Sequence, residues 1–348
     1  MTGGKPLLAM VVPCYNEEET LPAAAQQLLD KLTGLIAADA VSPESMVLFV
    51  DDGSTDATWD LIEKRARENP RRFAGVKLSK NRGHQNALLC GLLSIKDSVD
   101  AAISLDADLQ DDIDVIDEMI NQYRAGREIV YGVRSDRTKD SFFKKATAQG
   151  FYRFMRFLGA DIVYNHADFR LMGKAALRAL AEYGEVNLFL RGIVPLLGYK
   201  TGSVYYGRKE RFAGTSKYPP RKMLKFALEG ITSFSVRPIR FIAALGLGMF
   251  AASLAMTAYA AAQYFRGNTV SGWSSVICSL WCVGGLILLS LGVVGEYVGK
   301  IYLEAKHRPR FNIEKTLFEG GGARPAGKPP AGPHQGGGAA FVNQEGQL

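Results

Sequence analysis

Cysteine is scarce, with four residues in 348, and their positions make no disulfide framework. Cys14 and Cys90 are isolated and consistent with a reducing cytoplasm. Cys278 and Cys282 stand four apart in an apolar helical run and share a face. They read as small packing residues in a membrane helix rather than a metal pair. His84, His166, His307 and His334 have no metal-ligand spacing. Neither G-x-G-x-x-G nor G-x-x-x-x-G-K-[ST] follows any strand, which argues against dinucleotide-binding and P-loop folds. Internal repeats are absent. The N-terminus lacks a basic-then-apolar pattern, so neither apolar run of the C-terminal half reads as a signal peptide. From about Gly320 large apolar residues give out. The stretch GGGARPAGKPPAGPHQGGGAAF cannot bury enough surface to fold, and residues 320–348 read as a disordered tail.

What is present is uneven. Residues 1–235 have the mixed composition of a soluble domain, whereas Phe241–Phe265 and Gly267–Gly295 carry no formal charge. At about 1.5 Å per residue each run exceeds the roughly 30 Å of a bilayer's hydrocarbon core. Two transmembrane helices are expected, at 238–266 and 270–302, with a short apex carrying only Arg266. The outer flanks are basic, with Arg237 and Arg240 before and Lys300, Lys306, Arg308 and Arg310 after. The positive-inside rule then puts both termini in the cytoplasm. Residues 303–319 follow as a cytoplasmic extension.

In the first 215 residues strand and helix signals alternate. Strands are expected at Leu7–Pro13, Met46–Val50, Phe73–Leu78, Ala101–Leu105 and Glu128–Val133. Helices are expected at Leu21–Ile36, Thr55–Ala66, Gln85–Ile95 and Ile113–Tyr123. Continuous apolar strands alternating with helices imply an α/β fold with a parallel sheet covered on both faces. In such sheets ligands sit at the carboxyl ends of the strands. The polar motifs fall there: CYNEEE after the first strand, DDGSTD after the second, DADLQDD after the fourth and GVRSDR from the fifth.

The stretch Ser104–Asp112, SLDADLQDD, packs four Asp into nine residues. Carboxylates so close repel one another. If the chain stays extended, Asp106, Asp108 and Gln110 point the same way. Two carboxylates and an amide oxygen are hard ligands suited to Mg²⁺ or Mn²⁺, and Mg²⁺ usually takes its remaining ligands from phosphates and water. The crowding is then relieved by a metal that arrives with a nucleotide. Asp51, beside Asp52, reads as a partner of a backbone turn. His84 opens a helix and either helps bind a nucleotide or caps its own helix.

The motifs V-P-C-Y-N-E-E, V-D-D-G-S, D-A-D-L-Q-D, G-V-R, A-D-F-R-L and R-F-A-G-T-S-K-Y occur in this order, ahead of a second apolar run that ends G-E-Y-V-G-K-I-Y. Over about residues 7–312 the chain resembles the polyprenyl-phosphate glycosyltransferases of glycosyltransferase family two, relatives of dolichol-phosphate mannose synthase. It is most similar to the bacterial two-helix branch that makes polyprenyl-phosphate-glucose. The resemblance implies a GT-A fold and a nucleotide-diphosphate sugar donor. It places Pro13, Tyr15, Glu17, Val50 and Asp52 around base and ribose. Asp106, Ala107 and Asp108 would flank the diphosphate, with Asp106, Asp108 and Gln110 around the metal. Arg134, Arg211 and Lys217 would contact phosphates. A polyprenyl phosphate acceptor needs placement and charge neutralisation, for which Arg134, Arg137 and Arg170 are suited. Asp168 takes the family's position beside the reacting centre, to orient or deprotonate the acceptor, with inversion at the anomeric carbon. A homo-oligomer, for example a tetramer, is a further family-level expectation.

Two basic, aromatic stretches suit a membrane interface. One is an amphipathic helix at 139–158, with Phe143, Phe151, Phe154 and Leu158 on one face among Lys144, Lys145, Arg153 and Arg156. The other, 216–237, runs into the first apolar segment. A processive polysaccharide synthase is disfavoured, because no Q-x-x-R-W motif occurs. A membrane-anchored, non-catalytic binder of nucleotide sugars is the alternative of another class. UDP-glucose leads as donor, ahead of UDP-N-acetylglucosamine, an aminoarabinose donor and GDP-mannose. The acceptor expected in a bacterium is undecaprenyl phosphate.

Overall fold

The structure, a computed structural model, describes residues 4–134, 166–185, 190–207 and 272–318, with scattered positions between 239 and 266. The order is β1 (Leu8–Cys14), α1 (Leu21–Ala37), β2 (Met46–Asp51), α2 (Thr58–Glu68), β3 (Phe73–Leu78), α3 (His84–Ile95), β4 (Ala101–Ser104) and a 3-10 turn (Ile113–Val115) running into α4 (Ile116–Arg124). Then follow β5 (Ile129–Arg134), β6 (His166–Gly173), α5 (Lys174–Ala181), α6 (Leu190–Leu196), β7 (Thr201–Tyr206), α7 (Trp273–Ala305) and β8 (Ile313–Leu317).

All of β1 is buried, as a central strand requires. Successive side chains of a strand face opposite ways. Leu8, Met10, Val12 and Cys14 therefore enter the layer formed with α1, α2 and α4, where Leu28, Leu32, Trp59, Ile62, Met119 and Ile120 lie. Ala9 and Val11 enter the opposite layer, with α3, α5 and α6. Each fully buried Leu or Ile in these layers contributes about 1.5–3 kcal/mol relative to exposure. The α3 layer approaches β1 closely at Gly91, where a Cβ would lie 2.5 Å from Val11 Cγ1 and 2.7 Å from Val50 Cγ2.

The eight-stranded sheet runs β7-β5-β6-β4-β1-β2-β3-β8. Neighbours β4, β1, β2 and β3 are parallel, and so are β5 and β7. The sheet is GT-A-like and mostly parallel, but β6 lies antiparallel between β4 and β5, and β8 antiparallel on the outer edge of β3. The first exception bears on the site. Because β6 runs backwards, its beginning stands at the carboxyl ends of β4 and β5, with Ser104 opposite Arg170 and Val133 opposite His166. The motif A-D-F-R-L is thus a buried strand.

Among the described residues one helix is long and apolar enough to cross a membrane. The qualifying stretch is Val283–Ala305, at mean hydropathy 1.6, and none of its apolar window is buried. It belongs to α7, which at 33 residues is about 50 Å long. The expected hairpin is therefore described in one arm, since the first apolar run has only scattered described positions, which are mostly helical. The interfacial stretches 139–158 and 216–237 and the tail 320–348 lie outside the described residues. Within 303–319 the chain forms β8, which the sheet takes up as its last strand.

Candidate active site

The loops after β1 and β2 are laced together. Asn16, at φ 53°, is held by the Ser54 hydroxyl on its N–H at 3.0 Å, and its side chain accepts from the Thr55 N–H at 2.9 Å. The Thr58 hydroxyl accepts from the Glu17 N–H at 2.8 Å, and Glu18 accepts from the Ala57 N–H at 3.0 Å. Tyr15 stands exposed above this rigid floor, while the Glu17 carboxylate accepts from the Thr20 hydroxyl. Pro13 and Val50 are buried and face each other in the β1–β2 register. Val50 faces the α3 layer as a core residue.

The two aspartates after β2 divide their work. Asp51 accepts from the Ser54 N–H at 3.2 Å, closing the turn. Asp52 is 2% exposed, and its two oxygens accept from the N–H groups of Arg82 at 2.7 Å and Gly83 at 2.8 Å. Asp52 thereby fixes the loop that delivers His84 to the start of α3. Burial raises the pKa of both aspartates, against the lowering effect of these hydrogen bonds.

The expectation that Asp106, Asp108 and Gln110 alternate along an extended chain is not met. β4 ends at Ser104, and the Leu109 N–H donates to the Asp106 carbonyl at 3.2 Å, with Leu109 at φ 43°. The Gln110 N–H donates to Asp108 Oδ1 at 3.3 Å. The segment is a turn because parallel pairing with β1 stops at Ser104, and the freed backbone groups are satisfied locally. Asp106 and Asp108 keep partial exposure, while Ala107 and Gln110 are buried.

This donor set suits a hard divalent cation. Desolvation pushes the Asp106 carboxyl up to about 6, against His84 and with the repulsion of Asp111, Asp168 and Asp108. A cation would relieve that crowding. The buried Asp111 Oδ2 has no hydrogen-bond partner among the described residues. No three His, Cys, Asp or Glu side chains among those residues already form a metal cluster. A cation here would depend on Asp106, Asp108 and the Gln110 oxygen, completed by its ligand.

Asp168 is the hub of the cleft. Arg170 Nη2 donates to its Oδ1 at 2.6 Å, and Arg191 donates through Nη2 to Oδ2 at 3.1 Å and through Nε to Oδ1 at 3.3 Å. His84 Nε2 lies 3.9 Å from Asp168 Oδ2 and 3.4 Å from Asp106 Oδ1, bridging the two aspartates. Burial alone would raise the pKa of Asp168, but Arg170, then Arg191, hold it at about 2. The Ser104 hydroxyl donates to the Asp168 carbonyl, pinning the backbone. Arg170 is 1% exposed and its Nη1 reaches the Leu190 carbonyl at 3.4 Å. Arg170 is therefore enclosed, and the expectation that it meets an acceptor phosphate does not fit this placement. On the β5 side Arg134 donates through Nη2 to Asp111 Oδ1 at 2.9 Å, and the Tyr206 hydroxyl donates to the same oxygen at 2.6 Å. Arg137, Arg211 and Lys217 lie outside the described residues.

A family model described as Glycosyl transferase family 2 matches residues 9–181. The chain is 51% identical over 318 residues to the "Uncharacterized glycosyltransferase YkoT" of Bacillus subtilis (strain 168), covering 91% of this chain and 94% of that one. This chain is a family 2 glycosyltransferase. The enzyme is also 37% identical over 310 residues to the "Bactoprenol glucosyl transferase" of Shigella phage SfV, covering 88% of this chain and 98% of the phage protein. A "Prophage bactoprenol glucosyl transferase homolog" of Escherichia coli (strain K12) is 36% identical over 311 residues, covering 89% and 99%. Among solved structures, the mannosyltransferase PcManGT of Pyrobaculum calidifontis in complex with GDP-Man and Mn2+ is 17% identical, at TM-score 0.40, covering 86% of both chains.

The glycosyltransferase brings together Asp106, Asp168, Arg170 and His84, which the sequence distributes over 87 positions. Sequence reasoning missed Arg191 and Tyr206 and gave Asp111 no role. Asp111 stood inside a motif already noted, so its signal was present. Tyr206 and Arg191 lie in stretches with no motif to mark them.

Proposed function

We propose that the enzyme transfers glucose from UDP-glucose to the phosphate of a polyprenyl phosphate such as undecaprenyl phosphate, with inversion, at the cytoplasmic face of a membrane that α7 crosses. The observation carrying this reading is the 37% identity to a bactoprenol glucosyl transferase along nearly its whole length. The product is a lipid-linked sugar donor for cell-envelope glycans.

A phosphate oxygen of the acceptor attacks the anomeric carbon from the face opposite the leaving group. The bond from that carbon to the β-phosphate oxygen breaks, and UDP departs with the electron pair. A phosphate monoester has a second pKa near 6, so the nucleophile is mostly dianionic at pH 7. It needs no strong base. Asp168, held at about 2, is a weak one. Its role is to stay ionised and to fix the guanidinium of Arg191 at the rim of the cleft, with Arg170 enclosed behind it. Asp106, Asp108 and Gln110 would hold Mg²⁺ or Mn²⁺, which when bound offsets the charge gathering on the diphosphate. Tyr15 offers its ring to the base, and the Asn16–Thr55 lacing keeps that wall from moving as the donor enters. The basic, aromatic stretch 139–158 would rest on the membrane and bring the acceptor phosphate within reach.

A donor panel tests the reading. The purified protein in detergent, with Mn²⁺ or Mg²⁺ and undecaprenyl phosphate, is given UDP-glucose, UDP-N-acetylglucosamine, an aminoarabinose donor and GDP-mannose in turn. Lipid product is read by mass and nucleotide release by coupled assay. Product from UDP-glucose is expected. Product from another donor alone would replace the sugar, and no lipid product from any donor would remove the reaction.

A further inference from the structure

Two guanidiniums converge on the Asp168 carboxylate. Arg134 is matched by Asp111, and the enclosed Arg170 is matched by Asp168. Arg191 shares that same Asp168 carboxylate, so one negative charge answers two guanidiniums. The two differ in setting. The Arg170 side chain is 1% exposed, whereas that of Arg191 is 36% exposed at the rim of the cleft. A guanidinium has five N–H donors in a rigid fork, and Asp168 takes one from Nε and one from Nη2 of Arg191. The remaining donors lie on the terminal nitrogens.

The placement is enforced from three sides. Gln85 Oε1 accepts from the Leu190 N–H at 3.1 Å and Arg170 Nη1 holds the Leu190 carbonyl, which fixes the start of α6. Ile193 and Val194 anchor the helix in the core. Asp168 then fixes the Arg191 fork itself. This is an arginine prepared before its ligand arrives, and preorganised forks suit tetrahedral oxyanions.

We infer that Arg191 is a phosphate-binding residue of the active site, oriented by Asp168 and presenting its remaining N–H donors to a phosphate oxyanion. The inference rests on the transferase reading above and adds a residue to it. The phosphate is either the acceptor's monoester or the donor's diphosphate, and the test separates the two.

The full chain in detergent is compared as wild type, Arg191→Gln and Arg191→Lys. KM is measured for undecaprenyl phosphate and UDP-glucose, UDP affinity by calorimetry, and melting temperature by scanning fluorimetry. The expected result for Arg191→Gln is a rise of about tenfold or more in the KM for undecaprenyl phosphate, with UDP affinity within about twofold of wild type. Arg191→Lys should recover part of that loss, because it restores charge without the fork. A rise confined to the UDP-glucose KM with weakened UDP binding would assign Arg191 to the diphosphate, still as a phosphate ligand. Unchanged KM values for both substrates would overturn the inference. So would a loss confined to kcat together with a lowered melting temperature in both variants, since that is the mark of a merely structural ion pair. Wild-type protein inactive on every donor would count against the transferase reading, whereas an active wild type with an unaffected Arg191→Gln would count against Arg191 alone.

Discussion

Asp168 and Arg170 form an ion pair 2.6 Å long on strand β6, two residues apart and pointing to the same side of the sheet, with the arginine sealed inside the protein. Removing one partner of such a pair strands the other charge in a poor solvent, at a cost of about 3–5 kcal/mol. Asp168→Asn should therefore lower the melting temperature as well as abolish turnover. The double variant Asp168→Asn/Arg170→Met, which removes both charges, should recover much of the stability while staying inactive. Wild-type turnover in Asp168→Asn would remove Asp168 from the reaction.

Asp106 gives a pH signature. Its folded pKa of about 6 lies above the unfolded value of about 3.9, so ionising it costs the metal-free fold. The sign follows: the penalty is absent below about pH 4, grows between about 4 and 6, and is complete above. In EDTA, Asp106→Asn should melt higher than wild type at pH 8, with the difference gone at pH 4. Added Mn²⁺ should reverse the order at pH 8, since a ligand at 100 times its Kd adds about 2.7 kcal/mol to the form that binds it. Equal Mn²⁺ responses in the two proteins would exclude Asp106 as a ligand.

The turn after β2 has no room for a side chain. Gly53 sits at φ 68°, and a Cβ there would lie 2.5 Å from the Lys80 carbonyl carbon and 2.7 Å from the Asn81 nitrogen. Both contacts are backbone, in the loop that Asp52 holds. Gly53→Ala should cost about 2 kcal/mol or more and displace that loop and His84 with it. Denaturant unfolding would measure the first effect, and the KM for the nucleotide sugar the second.

Strand β8 shields the edge of β3. The Ser79 N–H donates to the Asn312 carbonyl at 3.0 Å, Lys77 pairs with Glu314 at 3.5 Å, and Leu317 packs over Gly75. A chain stopped after Phe318 should keep the activity and stability of the full chain. One stopped after His307 bares a row of unpaired backbone groups and should aggregate. Size-exclusion chromatography in detergent separates the two outcomes.

The expected positions of β1 to β5 and α1 to α4 are met within a few residues, because those strands are uniformly apolar and those helices carry a clear period. The polar motifs at their carboxyl ends mark the mouth of the cleft for the same reason. β6 escaped because its pattern is broken by a buried ion pair: Asp168 and Arg170 occupy positions where apolar residues would announce a strand. β8, I-E-K-T-L, is an exposed edge whose composition resembles a loop. The Asp106–Leu109 turn depends on one hydrogen bond and one positive φ, which no spacing rule encodes. Arg191 joins the site only because α6 folds back against α3, a contact between positions 105 residues apart.

The short connection from α7 to β8 has a mechanical meaning. Seven residues separate the end of α7 at Ala305 from Ile313, and within them Arg310 also grips the Tyr183 carbonyl. A globule hung from a membrane helix by a floppy leash would swing and tumble over the lipid surface. Here the leash is only seven residues, and the strand that follows the helix is paired into the sheet beside the strand that leads to His84. With α7 in a membrane, as proposed above, so short a connection would limit how far the site can swing away from the lipid surface.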